Sequence, residues 1–172
     1  NDISTGLPNR SIRSIAVNAT NPAIVYLTVS GYATGHIFSS TDGGTNWTDI
    51  SNNLPDIPTS AFLIDPLTAT TLYAGTDIGV FRSTDSGATW VPFNEGLPPV
   101  PIMEFTTQPG GLIQIGTYGR GAYELRPANT PAVNVGNATA VERGTGESPN
   151  GDGTVDFEIS LTEVSSQPVT VT

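Results

Sequence analysis

The stretch "SSTDGGTNW" at residues 39–47 returns as "RSTDSGATW" at residues 82–90. Both fit Ser-x-Asp-x-Gly-x-x-Trp. Asp42 and Asp85 stand 43 residues apart, and so do Trp47 and Trp90. A spacing shared by an acid and an indole implies a repeated structural unit. An Asp that opens a tight turn accepts hydrogen bonds from backbone N–H groups two or three residues on, closing the loop without help from a partner strand. Gly44 and Gly87 supply a positive φ that a Cβ would resist. The indoles are expected to swing back over their own hairpins and bury a large apolar surface. Ser40 and Ser83, two residues ahead of each Asp, are placed to tie the incoming strand into the same network.

The repeat extends on both sides. Each Trp leads into a short strand signal and then Leu-Pro: "WTDISNNLP" (47–55) and "WVPFNEGLP" (90–98). Ahead of each Ser-x-Asp motif lie two apolar runs separated by a turn, "SIAV" (14–17) with "IVYLTV" (24–29), then "AFLID" (61–65) with "TLYAGT" (71–76). Four short strand signals per 43-residue unit is the period of a β-propeller blade. A third copy opens at "LPPVPIMEF" (97–105), continues through "LIQIGT" (112–117) and "GRGAYELR" (119–126), and carries no acid-glycine-indole motif. "NDISTGLP" (1–8) repeats "TDISNNLP" (48–55), so the chain is expected to open mid-repeat, as a piece of something longer.

The motif resembles the Asp-box, or BNR repeat, of sialidase, xyloglucanase and sortilin-type propellers, over about residues 1–127. That resemblance implies a box at the blade periphery, away from any substrate funnel. Ser40, Asp42, Gly44, Trp47, Ser83, Asp85, Gly87 and Trp90 would then be structural. "GTYGRGAYEL" (116–125) aligns with "GTDIGVFRST" (75–84) and departs where a box would start. It reads as a closing segment whose missing outer strand is lent by the other end of a ring. "YGRG" (118–121) reads either as an anion loop charged by Arg120 or as a tight bend with Arg120 paired to a carboxylate.

After Pro127 the texture changes. Residues 128–132 read as a linker. Residues 133–172 set six acids against Arg143 alone, with strand signals at "AVNVGNATAVE" (132–142), "TVDFEISLTE" (154–163) and "PVTVT" (168–172). These features resemble the opening half of a Calx-β domain, an antiparallel sandwich. The resemblance makes Glu142 a candidate Ca²⁺ ligand whose partners would lie beyond Thr172, and Ca²⁺ is the one cofactor it suggests. Three strands cannot close a sandwich, so this domain too is expected to be partial.

The chemistry available is narrow. Sixteen acids face six Arg and no Lys, for a formal net charge of −10. Such a surface repels nucleic acid and anionic membranes. No apolar run approaches the roughly 20 residues that span a bilayer. There is no Cys and a single His, His36, so thiolate sites and two-His metal sites are excluded and a Ser-His-Asp triad is disfavoured. A glycosidase needs two facing carboxylates. The loose acids are Asp65, Asp77, Glu104 and Glu124, with Arg82 and Arg120 as the cations nearest to a sugar-carboxylate cluster. Asp77, Tyr118 and Arg120 are the candidates to face a funnel. Sequons include those at Asn18, Asn46 and Asn137.

The resulting expectation is an all-β chain: a partial propeller of about three four-stranded blades (1–127), a linker (128–132) and a partial sandwich (133–172). The function expected is a non-catalytic binding, adhesion or scaffolding portion of a large secreted or cell-surface protein, bacterial in style. It would meet glycan or protein ligands on the propeller face, with self-association as a further expectation. The alternatives are a propeller glycoside hydrolase whose acids lie in blades outside this chain, and a subunit of an extracellular filament or layer.

Overall fold

The computed structural model describes residues 2–94, 96–108 and 110–125, and the backbone of two short strands further on. Contacts divide the chain into two units, residues 1–125 and 126–172.

The first unit is built from antiparallel sheets in sequence order. The first sheet holds β1 (Ile12–Val17), β2 (Val25–Val29), β3 (Ile37–Ser40) and β4 (Thr48–Asp49). The second holds β5 (Thr59–Ile64), β6 (Leu72–Thr76), β7 (Gly79–Ser83) and β8 (Val91–Pro92). The third holds β9 (Ile102–Thr107), β10 (Ile113–Thr117) and β11 (Ala122–Leu125), with β10 in the middle. It has three strands among the described residues, in keeping with the missing motif. In the second unit β12 (Val133–Val135) pairs antiparallel with β13 (Ile159–Leu161). The rest of the expected sandwich, Glu142 included, lies outside the described residues.

The middle strands explain the packing. VYLTV and LYAGT are buried at every position, because each is covered on both faces. Sheets meet along their first strands, β1 against β5 and β5 against β9. Between the first two sheets, Tyr26, Ile37 and Leu54 meet Phe62, Phe81 and Trp90. Tyr26 stacks on Phe62 at 5.2 Å between centroids, and Phe62 sits edge-on to Trp90 at 6.5 Å. Between the second and third, Tyr73 and Val80 meet Ile102, Ile113 and Ile115. Gly75 admits Ile102 here; a Cβ on Gly75 would lie 2.7 Å from the Ile102 methyl.

The indoles add to one expectation. Trp47 lies over its own loop, its Cζ2 3.3 Å from where a Cβ on Gly44 would stand, and both indoles also reach the preceding segment. Trp90 Nε1 donates to the Ile50 carbonyl at 2.9 Å, and Trp47 Nε1 to the Ile3 carbonyl at 2.7 Å. Trp90 is 2% exposed and bridges two sheets. At about 25 cal/mol per Å² over roughly 150–250 Å², that burial contributes on the order of 4–6 kcal/mol. Asn53 completes the joint: its side chain accepts from Trp90 N and donates to Trp90 O, both at 2.8 Å.

Antiparallel succession gives each sheet two distinct ends. At one, the β1–β2 and β3–β4 loops touch through Gly43 N to Ala23 O, and the second sheet repeats this with Ser86 N to Thr70 O, both 2.9 Å. At the other, the β2–β3, β6–β7 and β10–β11 hairpin tips meet the approach to the first strand of each sheet. Ser30 N donates to Ser11 O at 3.0 Å, Asp77 N to Pro58 O at 3.3 Å and Tyr118 N to Pro101 O at 2.9 Å.

Candidate functional site: the hairpin-tip end

The end carrying the acid-glycine-indole loops is occupied by its own hydrogen bonds. Asp42 Oδ1 accepts from Ser40 Oγ at 2.8 Å and Asn46 N at 2.9 Å; Oδ2 accepts from Asn46 Nδ2 at 2.7 Å. Asp85 repeats the pattern with Ser83 Oγ at 2.7 Å, Thr89 N at 2.8 Å and Thr89 Oγ1 at 2.6 Å. Each Ser hydroxyl accepts in turn from the glycine N, Gly44 or Gly87, at 2.8 Å. The expected reach of two or three residues is therefore four, and the second carboxylate oxygen is taken by the polar residue just before each Trp. The Asn46 side-chain amide first, then its backbone N–H and Ser40, hold Asp42 at about 2. The Thr89 hydroxyl first, then its backbone N–H and Ser83, do the same for Asp85. Such carboxylates hold no proton to donate near neutrality.

Glycine is required in these loops for two reasons. Gly87 has φ +91°, and a Cβ there would lie 2.6 Å from Ile50 Cδ1; Gly44 has φ +93°, with Ile3 Cδ1 at 2.9 Å. The loop thus lets the preceding segment come close. Ser86 and Gly43, one residue earlier, are also left-handed, at φ +59° and +73°.

The hairpin-tip end is open. Asp77 and Tyr118 occupy the equivalent corner of successive sheets, as does Ser30 in the first. Large side chains stand out beside these corners: Tyr32 is 60% exposed, Ile78 47% and Tyr118 72%. Arg120 is exposed on the β10–β11 turn, closed by Thr117 N and Oγ1 on Gly121 O. Its guanidinium makes no ion pair among the described residues, so the expected carboxylate pairing is not found.

The first sheet's tip is larger than the second's. Residues 30–36 join β2 to β3, whereas Asp77 and Ile78 alone join β6 to β7. The longer hairpin is braced. Ala33 N donates to both Asp56 carboxylate oxygens, at 2.7 and 2.9 Å, and His36 Nε2 lies 3.1 Å from Asp56 Oδ1. His36 is buried, its backbone N held by Ser51 Oγ at 2.7 Å. His36 therefore supports a loop. A recess of about 600 Å³ opens here, lined by Asn9, Arg10, Ser11, Ser30, Gly31 and Tyr32. Nothing in the repeat pattern marks Arg10 or Tyr32; the extra hairpin length is the only sequence signal.

The remaining candidates do not converge. Asp65 holds the β5–β6 turn through Leu67 N and Thr68 N, at 2.8 and 3.0 Å, and accepts from Tyr73 OH at 3.2 Å. Burial first, then Asp65, pushes the Tyr73 hydroxyl up to about 12. Arg82 lies over the Phe93 ring at 4.3 Å, on β7 and away from Arg120 on its tip. Glu104 and Glu124 line a second recess of about 590 Å³ on the third sheet, with Thr106, Gln114 and Tyr123. Asn18 is buried and holds its own turn through Thr20 N and Asn21 N, so that sequon is not presented to solvent. No cluster of three or more metal-ligating side chains occurs among the described residues.

Solved structures sharing this sheet arrangement come from different settings. A GH74 enzyme from Niastella koreensis superposes with TM-score 0.53 at 17% identity, covering 64% of this chain and 19% of that one. The extracellular domain of the one-component system BT4673 from B. thetaiotaomicron gives 0.56 at 20% identity, covering 73% and 16%. YCF48 from Cyanidioschyzon merolae gives 0.51 at 17%, covering 69% and 35%. The first unit is a partial β-propeller. Its sheets are blades. The chain spans about a fifth of the GH74 enzyme's length. Identities this low carry the fold alone. No protein-family model and no curated protein matches the chain. No helix among the described residues is long and apolar enough to cross a membrane.

Proposed function

We propose that the chain is a non-catalytic binding, adhesion or scaffolding portion of a large secreted or cell-surface protein, meeting glycan or protein ligands at the hairpin-tip end of its blades. The observation that carries this reading is the division of labour between the two ends. Asp42 and Asp85 are committed to their own turns, while Tyr32, Ile78 and Tyr118 stand exposed at the other end beside Asp77 and Arg120. Exposed aromatics on braced loops are the kind of surface that binds. We read Ser-x-Asp-x-Gly-x-x-Trp as the Asp-box or BNR repeat, and residues 133–172 as the start of a Calx-β-like sandwich in which Glu142 would be the calcium ligand. A glycan array probed with the full chain and with the double variant Tyr32→Ala, Tyr118→Ala, which removes the exposed tip aromatics, tests the proposal. Signal lost in the variant supports it; signal equal to the parent's contradicts it.

The second reading, a piece of a propeller hydrolase, draws on the GH74 xyloglucanase of Xanthomonas campestris, which superposes at TM-score 0.51 and 15% identity. Its catalytic acids would lie in blades outside this chain. Hydrolysis of xyloglucan by a longer form of the protein would favour it over binding. The neighbours divide on this point, since another is YCF48 bound to D1 peptide.

A further inference from the structure

We propose that the recess at the first blade's tip binds a saccharide bearing a carboxylate. The inference rests on the tip end being the binding face, and adds which part of it and what chemistry.

The cation comes first. Arg10 is exposed, and its guanidinium makes no ion pair or hydrogen bond among the described residues, in a chain with sixteen acids. Its side chain is nevertheless placed. It runs over Gly31, where a Cβ would stand 3.3 Å from Nε and 3.4 Å from Cδ. Gly31 has φ +119°, so the position suits glycine on two counts. A guanidinium carries a planar N–H fork matched to the two oxygens of a carboxylate.

The wall comes second. Tyr32 stands 60% exposed at the edge of the same recess. The C–H face of a pyranose packs on such a ring, while Asn9, Ser11 and Ser30 supply short polar groups for hydroxyls. The recess is broad and open to solvent, so a sugar would be held there from one side.

The support comes third. The hairpin carrying Tyr32 is longer than its counterpart in the second blade. It bends through a left-handed Ala33, φ 56°, whose N–H is held by both oxygens of Asp56. A non-glycine residue in that region is strained and persists only where its surroundings fix it. Asp56, itself placed against buried His36, is therefore a positioning residue for the recess. The second blade has neither the extra length nor the brace.

The test is titration of the full 172-residue chain with tri-galacturonate, and with neutral galactotriose as control, by calorimetry. The acidic sugar is expected to bind at least about tenfold more tightly, with affinity falling as salt is raised. Arg10→Gln should abolish that preference without shifting the melting temperature, since Arg10 is exposed. Tyr32→Ala should weaken both sugars and Tyr32→Phe should not. Absence of tri-galacturonate binding at millimolar concentration overturns the inference. So does equal affinity for the two sugars, or an Arg10→Gln variant that binds like the parent. Should Tyr118→Ala or Arg120→Ala weaken sugar binding while Arg10→Gln and Tyr32→Ala do not, the inference falls and the tip-end reading stands. Should none of the four change it, both fall.

Discussion

Trp90 donates its indole N–H across a blade boundary to the carbonyl of Ile50, and Trp47 donates its own to Ile3 in the segment before β1. The motif that looks like a hairpin fastener is thus also the joint between consecutive blades. Trp90→Ala removes a side chain 2% exposed and is expected to cost about 3–5 kcal/mol. Trp47 is half-buried, so Trp47→Ala should cost less. Urea unfolding followed by far-UV circular dichroism orders the two variants, and equal costs would contradict the joint's dependence on burial.

The glycine after each turn is fixed by conformation and by space together. Gly87→Ala combines a left-handed backbone with a 2.6 Å approach to Ile50 Cδ1, and should cost about 2–4 kcal/mol. Gly43→Ala faces open space and should cost about 1 kcal/mol. At the position matching Gly43, Ser86→Gly should gain a few tenths to about 1 kcal/mol, because Ser86 already holds φ +59°. Thermal melts of the three separate strain from crowding.

Acid should loosen the same loops. Asp42 and Asp85 sit at about 2 in the folded chain, below the ordinary 3.8, so the folded state binds fewer protons than the unfolded one in this range. Their contribution is fully present above about pH 4 and is lost as pH falls toward about 2. The double variant Asp42→Asn, Asp85→Asn should melt lower at pH 6 and show a shallower fall in Tm between pH 4 and pH 2. An unchanged slope would mean the loops do not couple to stability.

The longer hairpin of the first blade should open when its brace is cut. Asp56→Ala removes the acceptor of Ala33 N–H and the partner of His36 Nε2. Exchange at the Ala33 amide, read by NMR, should accelerate at least about tenfold while amides in β6 keep their protection. Unchanged exchange at Ala33 would show that the loop holds itself.

The fold was largely legible because the repeat is written in residues whose physics is local. A left-handed glycine, a turn acid and an apolar middle strand each leave a mark on the sequence, and their 43-residue period names the architecture. The direction of the indoles was not legible. Nothing in the motif says that the indole N–H goes to the preceding segment; that depends on how two blades meet. The Asn53 clamp was hidden for the same reason, though "NN" at 52–53 precedes Leu54-Pro55 only once. The tip recess departs from the repeat, so period-based reading passed over Arg10 and Tyr32 and stopped at Asp77, Tyr118 and Arg120.

The central claim is that each acid-glycine-indole corner joins its blade to the segment before it. The chain has only two Trp, so two indole N–H signals report on it directly. Hydrogen exchange of the Trp90 indole N–H under native conditions, followed by NMR, is the decisive measurement. The prediction is exchange only through global unfolding, at the rate of the slowest β6 amides. Exchange at the rate of a free indole, with β6 still protected, would contradict it.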